Sequence, residues 1–141
     1  MMNPKAITAA RYVLGLMLVV FGLNGFLQFL PMPTPPEAAG RFLGAMIETG
    51  YLLPLVKLVE LTVGVLLLAN RFVPLALVLL APVSVNIIAF HLFLDPAGIA
   101  AGAVVFVLNV FLLFAYKPVY EPMLQAKVDV EHIARRERAT S

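Results

Sequence analysis

Residues 51–70 read YLLPLVKLVELTVGVLLLAN. The block has the length and the Leu/Val content of a membrane-spanning helix, since about 20 predominantly apolar residues cross a ~30 Å hydrocarbon core. Two charges, Lys57 and Glu60, interrupt it. A charged side chain at mid-bilayer depth costs roughly 2.5–3.5 kcal/mol on insertion scales. A polar contact between membrane helices returns on average only about 0.6 kcal/mol. Packing alone does not account for the pair, so it is the first candidate for a functional site.

Composition extends the membrane reading to the whole chain of 141 residues. It is 62% apolar and 13% charged, with a mean hydropathy of +0.97. A soluble domain averages about 45–50% apolar and about 25% charged. Three further spans flank the first: residues 7–30, closed by Pro31; 72–94, closed by Asp95-Pro96; and 97–116, closed by Lys117-Pro118. No small-x-small cleavage site follows the first of them, which is too long for a signal-peptide core and is expected to be a retained span. The expected fold is all-α, an antiparallel four-helix membrane bundle over residues 1–122 with a charged tail over 123–141. The sequence pI near 9.2 does not indicate nucleic acid, because most Lys and Arg flank apolar spans. With no cysteine, dithiol redox chemistry, thiolate metal sites and iron–sulfur ligation are excluded.

Lys5, Arg11, Arg71, Lys117, Lys127, Arg135, Arg136 and Arg138 fall on one side of such a bundle, and Arg41 alone on the other. The positive-inside rule then expects both termini in the cytoplasm of a bacterial inner membrane. The segment between the first two spans faces outward. Pro31, Pro33, Pro35 and Pro36 stiffen its start, Pro36 suits a first helical position, and Gly50 suits a helix stop. Glu37, Arg41, Gly44 and Glu48 share one helical face, with Phe42, Leu43, Met46 and Ile47 opposite. An amphipathic interfacial helix over about residues 37–49, lying as a lid on the bundle, is expected.

Depth organises the polar residues. At about 1.5 Å per residue, Lys57 lies roughly 9 Å and Glu60 roughly 14 Å below the outer surface. Asn24 and Gln28 of the first span, and Asn86 and His91 of the third, fall in the same outer half, with Asn109 nearer the middle. Asn24, Gln28, Lys57, Glu60, Asn86 and His91 are the expected ligand-binding set. The bland alternatives are that Lys57 snorkels to the interface, that Asn24, Gln28 and Asn86 only bridge helices, and that His91 sits among headgroups. Glu60 is too deep to snorkel and is either paired with Lys57 or protonated. Gly15, Gly22 and Gly25 form a small-residue stripe for close helix packing. No metal site is expected, since only His91 and Glu60 are strong ligands and closed sites need about four. No catalytic constellation or phosphate loop is present. The tail is expected to be solvated and frayed.

The stretches GLNGFLQFLP (22–31), TGYLLPLVKLVELTVGVLLL (49–68) and APVSVNIIAFHLFLDPAG (81–98) resemble the DoxX-like family of small four-span bacterial membrane proteins. Lys57/Glu60 and the series Pro82, Asn86, His91, Asp95-Pro96 carry the likeness. The resemblance implies a four-helix membrane bundle and a role in a membrane redox system, with a quinone as the bound group and a redox-enzyme subunit as partner; homo-oligomers remain open. In that reading Glu60 accepts a proton or binds ligand, Lys57 tunes its charge, and Asn86 and His91 hydrogen-bond the ligand. The alternatives are a proton-coupled small-solute carrier or channel, and a non-catalytic scaffold subunit.

Overall fold

The computed structural model describes residues 2–141. It is all-helical: α1 (Pro4–Leu27), α2 (Glu37–Glu48), α3 (Leu52–Ala69), α4 (Val73–Phe93), α5 (Ile99–Ala115), α6 (Lys117–Tyr120) and α7 (Val130–Thr140), with short 3₁₀ turns at Pro96–Gly98 and Glu121–Leu124. Helices α1, α3 and α4, and α5 with the turn before it, are long and apolar enough to cross a membrane. They form a closed ring in which α1 packs on α3, α3 on α4, α4 on α5 and α5 back on α1. The four-helix bundle expected from the sequence is therefore the fold, and the chain is a multi-pass membrane protein by architecture.

Local chemistry sets the ends. Asn3 caps α1 by accepting the Lys5 N–H at 2.9 Å, with Pro4 at the first position. Span one stops at Leu27, not Leu30, because Gln28 turns left-handed (φ 50°) and ends the helix. Helix α3 ends in a paired-carbonyl motif: Asn70 is left-handed (φ 53°), its N–H bonds Leu67 O, and the Arg71 N–H bonds Leu66 O. Phe72 is also left-handed (φ 51°). Asn tolerates that conformation and an aromatic residue does not, so the sharp turn into α4 carries local strain.

Helix α2 matches the expected interfacial segment, running from Glu37 after Pro36 to a stop before Gly50, whose φ is 75°. Pro36 is the residue before the helix, one place earlier than expected. Ala39 is fully buried, and Phe42 meets Phe90 of α4 at 5.8 Å between ring centroids. Ile47 stays exposed at 60% and Phe42 is half-exposed, so buried Ala39 and the Phe42–Phe90 contact tie α2 to the bundle. The Glu37–Arg41 ion pair (2.9 Å) lies on the exposed face.

The core is a single cluster. Leu14, Leu18, Val63, Leu67, Leu77, Leu80 and Leu112 are all at most 1% exposed. The closest helix pair is α1 on α3. A Cβ on Gly64 would stand 2.9 Å from Gly15 O and Val19 N, and a Cβ on Gly22 3.0 Å from Leu61 N. The glycine stripe of α1 thus meets α3 backbone to backbone, as the small-residue pattern predicts. Beyond α5, Tyr120 folds back and donates to Pro74 O at 2.7 Å. Burial, with the neighbouring Tyr116 adding to it, pushes its phenol up to about 12. The far tail is helical over α7 rather than frayed. Asp129 caps it, accepting the Glu131 N–H at 3.0 Å.

Candidate functional site

Helix α3 presents Val63, Gly64, Leu67 and Glu60 on its buried face. Glu60 lies one turn above Gly64 on that stripe, so the packing that drives α1 onto α3 also draws the carboxylate inside. It is 4% exposed. Lys57 Nζ donates to Glu60 Oε2 at 3.0 Å, a one-turn pair on the same helix. The Lys57 stem lies over Gly25 of α1, where a Cβ would collide with Lys57 Cγ. Gly25 therefore makes the channel along which the lysine reaches down to Glu60.

The two partners differ in exposure, 24% for the Lys57 side chain and 5% for Glu60. Glu60 Oε1 has no hydrogen bond among the described residues, yet no buried side-chain oxygen or nitrogen is both enclosed and unpartnered. Oε1 must therefore meet a small opening. The Lys57 ammonium, with three donors, likewise spends only one on Glu60. On the exposed side of α3 runs an open apolar groove of about 410 Å³ lined by Phe26, Tyr51, Pro54, Leu55 and Leu58. Neither Lys57 nor Glu60 lines it: Tyr51, Pro54, Leu55 and Leu58 form the exposed stripe of α3, and Leu58 is two residues, about 200° of helix, from Glu60.

The rest of the expected set disperses. Asn24 Oδ1 accepts the Leu30 N–H at 2.8 Å and so secures the chain leaving α1. Gln28 is exposed at the helix terminus. Asn86 is exposed on α4, away from that helix's buried residues Val73, Ala76, Leu77, Leu80 and Ser84. His91 is half-buried over Gly102. Its Nδ1 lies 3.3 Å from Asp95 O and 3.9 Å from Asp95 Oδ2. No hydrogen bond joins Glu60 to Asn86 or His91. The partner of Glu60 is Lys57, one of the two states expected for it, and Asn86 turns outward because it is two residues, about 200° of helix, from Ser84.

A second polar group sits inside. Ser84 Oγ lies 2.8 Å from Asn109 Oδ1 and 3.0 Å from Ala81 O, so its one proton has two acceptors. Asn109 Nδ2 donates to Leu77 O at 3.2 Å. Both residues are 1% exposed. They fasten α5 to α4 next to Pro82, whose missing N–H weakens α4 there. This is a structural clasp with every group partnered.

The fourth buried polar residue is Arg11, 6% exposed, whose Nη1 donates to Leu67 O at the end of α3. Read as a flanking positive charge, it was not expected inside. The signal was its spacing: with Leu14, Gly15, Leu18 and Gly22 it shares the buried stripe of α1. No cluster of three or more His, Cys, Asp or Glu that could hold a metal ion exists among the described residues. Compared with models of known families, with curated proteins and with solved structures, the chain matches none.

Proposed function

We propose that this protein binds a lipid-soluble ligand with a hydrogen-bonding head, of the quinone class, at the Lys57–Glu60 pair. One observation carries the reading: a carboxylate buried in a membrane-spanning helix keeps one oxygen unbonded, beside a lysine with unused donors. A quinone carbonyl accepts from Lys57, a quinol hydroxyl donates to Glu60 Oε1, and an isoprenoid tail leaves the pair around α3 to lie on the exposed Phe26, Leu55 and Leu58. The likeness of the Lys57/Glu60 and Pro82…Asp95-Pro96 positions to DoxX-like proteins points the same way, toward service in a membrane redox system beside an oxidoreductase partner. A carrier or channel is disfavoured, because fully buried Leu14, Leu18, Leu67, Leu77, Leu80 and Leu112 fill the bundle beyond Glu60, and Ser84 and Asn109 among them are bonded to each other and to the backbone rather than lining a path.

Purified protein should bind decylubiquinone saturably. Glu60→Gln, which keeps the shape and an acceptor, should weaken binding about tenfold, or about 1.4 kcal/mol, while the thermal midpoint holds. Leu55→Trp, which fills the groove, should do the same. Absence of saturable binding, or equal binding by both variants, would leave the pair a scaffold device.

The orientation belonging to this reading places both termini in the cytoplasm, with α2 on the outer face. A C-terminal alkaline phosphatase fusion should be inactive and a fusion within α2 active. The reverse pattern overturns it.

A further inference from the structure

Arg11 has more hydrogen-bonding capacity than the fold uses. A guanidinium carries five N–H donors, and among the described residues Arg11 makes a single hydrogen bond, from Nη1 to Leu67 O. The side chain is more than nine-tenths buried, and no carboxylate pairs with it among the described residues. None of its nitrogens is both enclosed and unpartnered. The unused edge therefore looks out through a gap at the bundle surface. Tyr12 covers one face of the guanidinium, 4.4 Å from ring centroid to Cζ, which leaves the edge as the free side.

The surroundings are cationic. Leu67 lies one turn from Arg71, whose own N–H closes on Leu66 O, so both arginines belong to the end of α3. Lys5 at the start of α1 and Lys117 after α5 lie at the same end. No Asp or Glu occurs in residues 1–36, 61–94 or 96–120. The first acidic residue near that end is Glu121. Burying a cation without a counter-ion is unfavourable, and the carbonyl terminus of α3 offsets only part of that.

We propose that Arg11 and Arg71 form a seat for the phosphate of an anionic phospholipid in the leaflet at this end of the bundle. The planar guanidinium edge fits two phosphate oxygens at once. Leu67 is within a turn of the end of a membrane-spanning helix, so Arg11 stands at the depth where lipid phosphates begin. Arg71, exposed on the adjoining turn, closes the seat from the water side, and Lys5 and Lys117 add to the attraction.

The test compares thermal unfolding of the detergent-purified protein with phosphatidylglycerol and with phosphatidylcholine, alongside native mass spectrometry of retained lipid. Phosphatidylglycerol should raise the midpoint by several degrees more than phosphatidylcholine. Arg11→Gln should abolish that difference, and Arg11→Lys, which keeps charge but not the fork, should weaken phosphatidylglycerol binding about tenfold. Arg71→Gln should reduce the difference at least by half, and since that residue is exposed, it carries the test even where Arg11→Gln fails to fold. Equal shifts with the two lipids, or an undiminished difference in Arg71→Gln and Arg11→Gln, would overturn the seat. A shift reproduced in full by soluble glycerol 3-phosphate would overturn the lipid as its source.

Discussion

Lys57→Met should destabilise the bundle far more than Glu60→Met. The two side chains form one ion pair, but their alternatives differ. With Lys57 gone, Glu60 stays in the interior at 5% side-chain exposure with no other donor bonded to it. Removing one partner of a buried pair costs about 3–5 kcal/mol, because the remaining charge is uncompensated. With Glu60 gone, Lys57 has an exit. Its side chain is already 24% exposed, its long stem is flexible, and it lies roughly one and a half turns from the start of α3, so its ammonium swings up to the interface. That loss should be about 1–2 kcal/mol, set mainly by repacking over Gly25. Lys57→Met combined with Glu60→Met should recover to within about 1 kcal/mol of the wild type, since apolar residues replace buried pairs well. Unfolding in mild detergent of the two single variants and the double variant measures all three. Equal single losses would show that the lysine is as trapped as the glutamate, and no recovery in the double variant would mean that the pair holds more than each other.

Gly64→Ala should cost about 1–3 kcal/mol, the range for overpacking a filled interior. The added methyl would stand 2.9 Å from Gly15 O, Val19 N and Val19 Cγ2. Two of these are backbone atoms of α1 and cannot rotate away, so the helices must separate by some tenths of an ångström. The shift is not local, because the Lys57 stem over Gly25 and the Arg11 bond to Leu67 lie on the same seam. Gly44→Ala in α2 is the control. Nothing lies within 4 Å of its Cβ position, and Ala is a better helix former by up to about 1 kcal/mol, so that variant should be neutral or slightly more stable. A Gly64→Ala protein that melts with Gly44→Ala would show that α1 and α3 have slack.

The spans were legible because each is an apolar block punctuated by Pro, Gly or Asn, and because bilayer thickness fixes helix length. The α1 glycine stripe and the α2 lid were legible from period alone. The candidate site was legible only in its centre. Depth alone puts Asn86 in the pocket, but depth ranks residues along a helix and says nothing about which way they point. Measured against the stripe Val73, Leu77, Leu80 and Ser84, its offset of two residues already turned it outward. Asn109, set aside as merely central, shares a stripe with Gly102, Val105 and Leu112 and is buried. Arg11 was hidden for a different reason. Its partner is a main-chain carbonyl 56 residues away, and main-chain acceptors leave no mark in a sequence.

The tightest seam of the bundle joins α1 to α3 across the whole of α2, and this has a consequence for assembly on the ribosome. Between the synthesis of Leu27 and of Ala69, roughly 2–8 s elapse at about 5–20 residues per second. Throughout that interval the first span has no partner for its glycine face, and Arg11 has no carbonyl to bind. The order of synthesis therefore leaves the most closely packing surface of the protein open until the third helix arrives to close it.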